Sequence, residues 1–243
     1  MLRTANPALN NNSFKTAAAT VSGEVMTLSG AVNKTMISTL ITMAAGYWSY
    51  SNPWLGKFYL PCIIGALVVA LIISFKRSWA PLLTPVYAIA EGVALGTLSL
   101  VADTMYPGIA FQAISLTFGV LFALLFAYQS GWIKPSENFK LGIVAATGGI
   151  FVVYLLSFIL GLFGMPLNFL HDSSPLSIGI SIIVVVIAAL NLVLDFDFIE
   201  NAAQSGNVPK YMEWYAAFGL LVTLVWLYVE ILRLLMKLNE RSR

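Results

Sequence analysis

The stretch LVLDFDFIEN, 192–201, sets three carboxylates, Asp195, Asp197 and Glu200, at the end of an almost wholly apolar run. Two more acids interrupt apolar stretches: Glu91 in AIAEGVALG and Glu230 in WLYVEILRLL. A carboxylate at bilayer depth is costly unless it faces protein or water, and is a functional candidate for that reason. Two carboxyls a few ångströms apart in low dielectric cannot both ionise cheaply, so they share a proton and one apparent pKa rises. Such a pair is a proton-operated switch that needs no histidine. Two residues apart on a helix is a rotation of about 200°, so Asp195 and Asp197 face opposite ways. Asp197 and Glu200 share a side and suit a solvated helix end, which leaves Asp195 to face inward. Glu91 lies about 15 Å into its stretch at 1.5 Å per residue, either hydrogen-bonded to a neighbouring helix or lining a cavity. Arg233 follows Glu230 by three residues, an ion-pair spacing. If the last apolar span runs 219–238, Glu230 falls near mid-membrane and can meet Asp195 across an antiparallel hairpin.

The elements that must position these acids follow from composition. The chain is 59% hydrophobic and 10% charged, where a soluble domain carries about 25% charged residues. It belongs with integral membrane proteins. A net charge of +2 implies no nucleic-acid surface. Cys62 is the single cysteine and His171 the single histidine, which excludes an internal disulfide and Cys- or His-based metal sites; His171, in LHDSSP, reads as a solvated loop residue. No resident cofactor is expected.

Residues 1–33 read as a flexible cytoplasmic tail with a short interfacial helix near its end, 34–238 as a transmembrane domain, and 239–243 as a basic tail. A crossing needs about 20 mostly apolar residues. Seven stretches fit: 34–51, 58–75, 82–102, 109–128, 141–163, 176–200 and 214–238. Gly92 and Gly96 suit close helix packing in lipid. Arg3, Lys15, Lys34, Lys76, Arg77, Lys134, Lys140 and Lys210 fall on one side of this arrangement, against Lys57, Arg233, Lys237, Arg241 and Arg243 on the other. The loops place the N-terminus inside, while the basic C-terminus pulls the other way.

LVLDF in the sixth stretch and WLYVEILRLL in the seventh resemble the closing hairpin of the Bax inhibitor-1 family, the transmembrane Bax inhibitor motif proteins. AEGVALG at 90–96 is similar to that family's third-helix element, and Lys76-Arg77 after the second stretch also fits. The resemblance covers 34–238. It implies an all-α integral membrane protein, a seven-transmembrane-helix bundle with the C-terminal helix central, set in the bacterial inner membrane with its N-terminus cytoplasmic. It also implies a pH-sensitive calcium leak, a non-enzymatic activity. By position, Asp195 and Glu230 correspond to the two gating acids, and Arg77, or less directly Lys76, to a basic latch for the sixth-helix acid. The chain departs in having Glu at 230 where Asp is usual, a longer link between the two acids, and a long Asn-rich tail.

Calcium, a hard cation, takes oxygen ligands. Asp195 and Glu230, with Glu91, Asp197 and water along the path, suit transient binding of the kind that conduction needs. Lipid, calcium and protons are the expected partners. The competing reading is an interaction protein that restrains a membrane protease or a stress or death regulator without conducting ions. An intramembrane aspartyl protease would want a Gly-x-Gly-Asp context, which Asp195 lacks. A retinal protein would want a mid-span lysine in the last helix, whereas Lys237 lies at its end.

Overall fold

The computed structural model describes residues 24–165, 167 and 172–242. Among them are seven α-helices: α1 Leu28–Ser51, α2 Tyr59–Phe75, α3 Ala80–Met105, α4 Ile109–Gln129, α5 Glu137–Leu162, α6 Pro175–Gln204 and α7 Met212–Arg241. Short 3-10 turns, Pro53–Phe58 and Arg77–Trp79, join α1 to α2 and α2 to α3. No strand occurs among the described residues, only an isolated antiparallel bridge between Val25 and Pro209.

Local chemistry sets the ends. Thr27 caps α1 by accepting from the Gly30 amide at 3.0 Å, and Asn52-Pro53 stops it. Ser136 caps α5 through the Phe139 amide. Ahead of α6, Ser174 accepts from the Ser177 amide, while its own hydroxyl donates to Asp172. That donation holds the Asp172 carboxyl below the usual carboxylate range. Gly108, Gly131, Gly164 and Gly206 adopt positive φ in the connections, where a side chain would be strained.

Six helices, α2 to α7, are long and apolar enough to cross a membrane. The first expected crossing is not among them. Its helix is long enough, at 24 residues, but Asn33, Lys34, Thr35, Ser38, Thr39, Thr42 and Ser49 make it too polar by composition. It also begins at Leu28, six positions before the expected start at 34. Residues 24–33 are therefore ordered protein, and the part of the expected tail at 1–23 lies outside the described residues. At the other end, the α7 helix runs on to Arg241, through most of the expected basic tail. Of the candidate crossings α7 is the most buried, with 61% of its most apolar stretch enclosed, against 6% for α5.

The chain divides into two compact units. The first holds 24–107 and 197–222, and the second 108–196 and 223–242. In the first, α1 lies on α3 in parallel. A Cβ on Gly92 would stand 2.8 Å from the Ala45 Cβ and closer still to the Thr42 carbonyl oxygen. A Cβ on Gly96 would stand 2.8 Å from the Gly46 carbonyl carbon and 2.9 Å from its Cα. The pair at 92 and 96 thus serves backbone contact between helices. Further along, Ser49 and Thr97 share a hydrogen bond at 3.0 Å, and Tyr50 donates to Asp103 at 2.6 Å. The polar residues of α1 at 42 and 49 are buried in this seam.

Candidate functional site

In the second unit one face of α7 carries a polar residue every seven positions: Thr223, Glu230 and Lys237. A seven-residue step returns to the same side within about 20°, so the three stand in a column over about 21 Å of rise. All are buried, Glu230 at 1% exposed and Lys237 at 5%. Their partners come from α5 and α6. The Thr223 hydroxyl donates to Asp195, which is 0% exposed, at 2.6 Å. Tyr154 Oη lies 3.1 Å from both carboxylate oxygens of Glu230. Arg233 Nη1 donates to Tyr154 at 3.0 Å and to Glu230 at 3.2 Å. The Lys237 ammonium donates to Ser177 and Ser181, each at 2.8 Å.

The register explains these pairings. Asp195 faces Thr223 and Ser181 faces Lys237. Both pairs of numbers add to one total, as an antiparallel helix pair requires. The same register sets Ala188 level with Glu230, and this small side chain leaves room for Tyr154 to arrive from α5. Asp195 and Glu230 therefore line one seam but at levels about 10 Å apart in rise, so the expected meeting of the two acids does not occur: the register sets Asp195 against Thr223 and leaves Glu230 to Tyr154 and Arg233. Glu230 draws its hydrogen bonds from Tyr154 and Arg233. The spacing of 230 and 233 is the expected ion pair.

One turn from Asp195, on the same face of α6, lies Asn191, 2% exposed. Its amide donates to Thr147 of α5 at 2.9 Å and to the Ile187 carbonyl at 2.8 Å. Its Oδ1 accepts no hydrogen bond among the described residues. A buried acceptor left open is destabilising and is a ready oxygen for water or a cation. The column thus lines one seam of the second unit with the Asp195, Asn191 and Glu230 side-chain oxygens.

The other expected site residues fall in the first unit. Arg77 is half-buried and turns its guanidinium over the Tyr215 ring at 5.9 Å, while Lys76 is exposed and covers Trp79 at 3.8 Å. Of the two latch candidates, Arg77 is the more buried. Glu91 is half-buried on α3, one turn beyond Tyr87. Asp197 and Glu200 are half-buried near the end of α6, and Gln204 donates to Glu200 at 3.2 Å. His171 lies outside the described residues.

Sequence reasoning missed a second polar cluster, in the first unit. Glu213, in the first turn of α7, is 1% exposed. It accepts from the Thr27 amide and hydroxyl, both at 3.0 Å, and Lys34 stands 3.9 Å away. The Met26 amide donates to the Val208 carbonyl at 2.7 Å, the Lys210 amide to the Glu24 carbonyl at 3.0 Å, and the Lys210 and Glu24 side chains pair. These contacts form a clasp between 24–27 and 208–213. An acid in the first turn of the last helix was the available signal, since helix N-termini favour carboxylates.

A family model described as Bax inhibitor 1 like matches residues 6–240. The chain belongs to the Bax inhibitor 1 like family. No curated protein and no solved structure matches it. Family membership and six apolar helices together make this Bax inhibitor 1 like chain a multi-pass membrane protein.

Proposed function

We propose that this Bax inhibitor 1 like protein is a pH-sensitive calcium leak whose proton sensors are Asp195 and Glu230. The observation that carries the reading is Asp195 itself: a wholly buried carboxylate within a candidate crossing that accepts from the Thr223 hydroxyl of α7 at 2.6 Å. When Asp195 is protonated, its contact with Thr223 joins α6 to α7 at no charge cost. When it ionises, a charge buried in low dielectric is costly, and the seam gains by admitting water or a cation. Glu230 is paired with Arg233 at 3.2 Å. Arg77 is the candidate latch for ionised Asp195, with Lys76 as the lesser one. Glu91 and Asp197 are candidate lining groups of the ion path.

Seven crossings with α7 central complete the reading. The parallel register of α1 on α3 supports the first crossing: Thr42 meets Gly92, Gly46 meets Gly96, and Tyr50 reaches Asp103. A helix of 24 residues is about 36 Å long, enough for a hydrocarbon core of about 30 Å. Its polar side chains at 42 and 49 face α3 rather than lipid. The heavy burial of α7 supports its central place. The basic loops support a cytoplasmic N-terminus, with the bacterial inner membrane as the setting.

The test is calcium flux into liposomes holding the purified protein across a pH series. Wild type should show flux that changes with pH, and Asp195→Asn should flatten the profile. An unchanged profile in the variant refutes the switch. A pure protein passing no calcium at any pH returns the chain to the interaction reading.

A further inference from the structure

A lysine four residues from the end of a membrane helix ordinarily extends its ammonium to interfacial water. Lys237 does the reverse. It turns inward at 5% exposure and spends two donors on Ser177 and Ser181 at 2.8 Å each, with both serines buried. An ammonium donates only, so the seat it fills is lined by hydroxyl oxygens that accept. Neutral oxygens in a dry seam are also what a metal cation takes in place of its hydration shell.

The seat closes the column that begins at Asp195. From Thr223 to Lys237 the polar face of α7 covers about 21 Å, most of a hydrocarbon thickness of about 30 Å. The charged groups acting on Lys237 include Arg233 and Glu230 on its own helix and Asp172 ahead of α6. Glu230 is matched by Arg233 at 3.2 Å, and Asp172 is engaged by Ser174 at 2.8 Å.

We propose that Lys237 is a tethered cation: its ammonium occupies the last oxygen-lined seat of the column and limits cation passage toward the C-terminal end of α7. This rests on the leak reading above and names what keeps that leak small. A merely structural lysine would seal α6 to α7, and its loss would loosen the seam for any solute. A tethered cation acts through charge and place, so its loss favours cations alone.

Purified full-length variants in liposomes decide between these. Lys237→Met should raise initial calcium flux on the order of tenfold, the effect of removing one nearby positive charge from the path of a divalent ion. Lys237→Arg should restore the low flux, and a small neutral dye should stay sealed in throughout. Ser177→Ala/Ser181→Ala, which keeps the charge and removes its seat, should also raise the flux, and serves if the lysine variants fail to fold. Calcium chloride should raise the melting temperature of Lys237→Ala in detergent, and that of wild type little, because the vacated seat accepts the ion. Flux in Lys237→Met equal to wild type, or dye leaking alongside calcium, overturns the proposal while leaving the leak itself standing. If wild type passes no calcium at any pH, the leak reading fails by itself. The melting shift then decides the seat alone: a shift in Lys237→Ala upholds it, and none overturns it.

Discussion

At Glu213 a carboxylate with almost no exposure collects an amide proton, a hydroxyl proton and a nearby lysine from the segment that opens α1. Hydrogen bonds to a charged group are each worth about 1.5–3 kcal/mol. Glu213→Ala should therefore destabilise by about 3 kcal/mol, read as a lower melting temperature in detergent. Position 30 must be glycine beside this carboxylate, since a Cβ there would overlap it. Gly30→Ala should be strongly destabilising in wild type and milder in Glu213→Ala, a coupling that a double-mutant cycle measures; additive effects would separate the two residues. Beside them Lys210 holds the Glu24 carboxyl below the usual carboxylate range by hydrogen bond and charge, and Glu24 holds Lys210 above the usual lysine range. The lowered acid contributes above its ordinary pKa and stops contributing as pH falls through the folded value. The raised base contributes below its ordinary pKa and stops as pH rises through its folded value. Hydrogen exchange at the Met26 amide, corrected for intrinsic rate, should thus be slowest between those limits and faster in acid. The inward turn of Asp195 was legible in sequence, because its neighbour two residues on must face the other way. Its partner Thr223 was not, because a partner depends on the register of two helices, which the spacing of residues on one helix does not contain.

At the level of elements, apolar runs bounded by Pro, Gly and charge place six helices within a few residues: 58–75 became Tyr59–Phe75, 109–128 became Ile109–Gln129, and 176–200 became Pro175–Gln204. The start of α1 was less legible. The carboxylate that holds its Thr27 cap comes from Glu213, far along the chain, and its polar seam residues resemble loop composition until α3 is set against them. The small pair at 92 and 96 was read as packing, and its neighbours are backbone atoms of α1. Gly96→Leu should force the two helices apart, with a cost of several kcal/mol expected for overpacking against backbone. The measurable result is a lower melting temperature and faster proteolysis near α1. A variant as stable as wild type would mean that the close approach at Gly46 contributes nothing.

At the level of the whole molecule, seven crossings require the two ends of the chain to face opposite compartments. In a Cys62→Ser background, single cysteines at Ser13 and at Ser242 should label with a membrane-impermeant thiol reagent from opposite sides. Labelling of both from one side would leave α1 lying along the surface. Sequence charge alone could not decide this, because Arg233 and Lys237, counted as outer-side charges, are spent inside the fold: one is paired to Glu230 and the other seated on serines. The clasp has a consequence for biogenesis. Thr27 and Glu213 lie 186 residues apart, so the first helix leaves the ribosome long before the side chain that secures its first turn exists. A nascent chain, or one cut short anywhere before position 213, lacks the carboxylate that the Thr27 amide and hydroxyl bond in the finished fold.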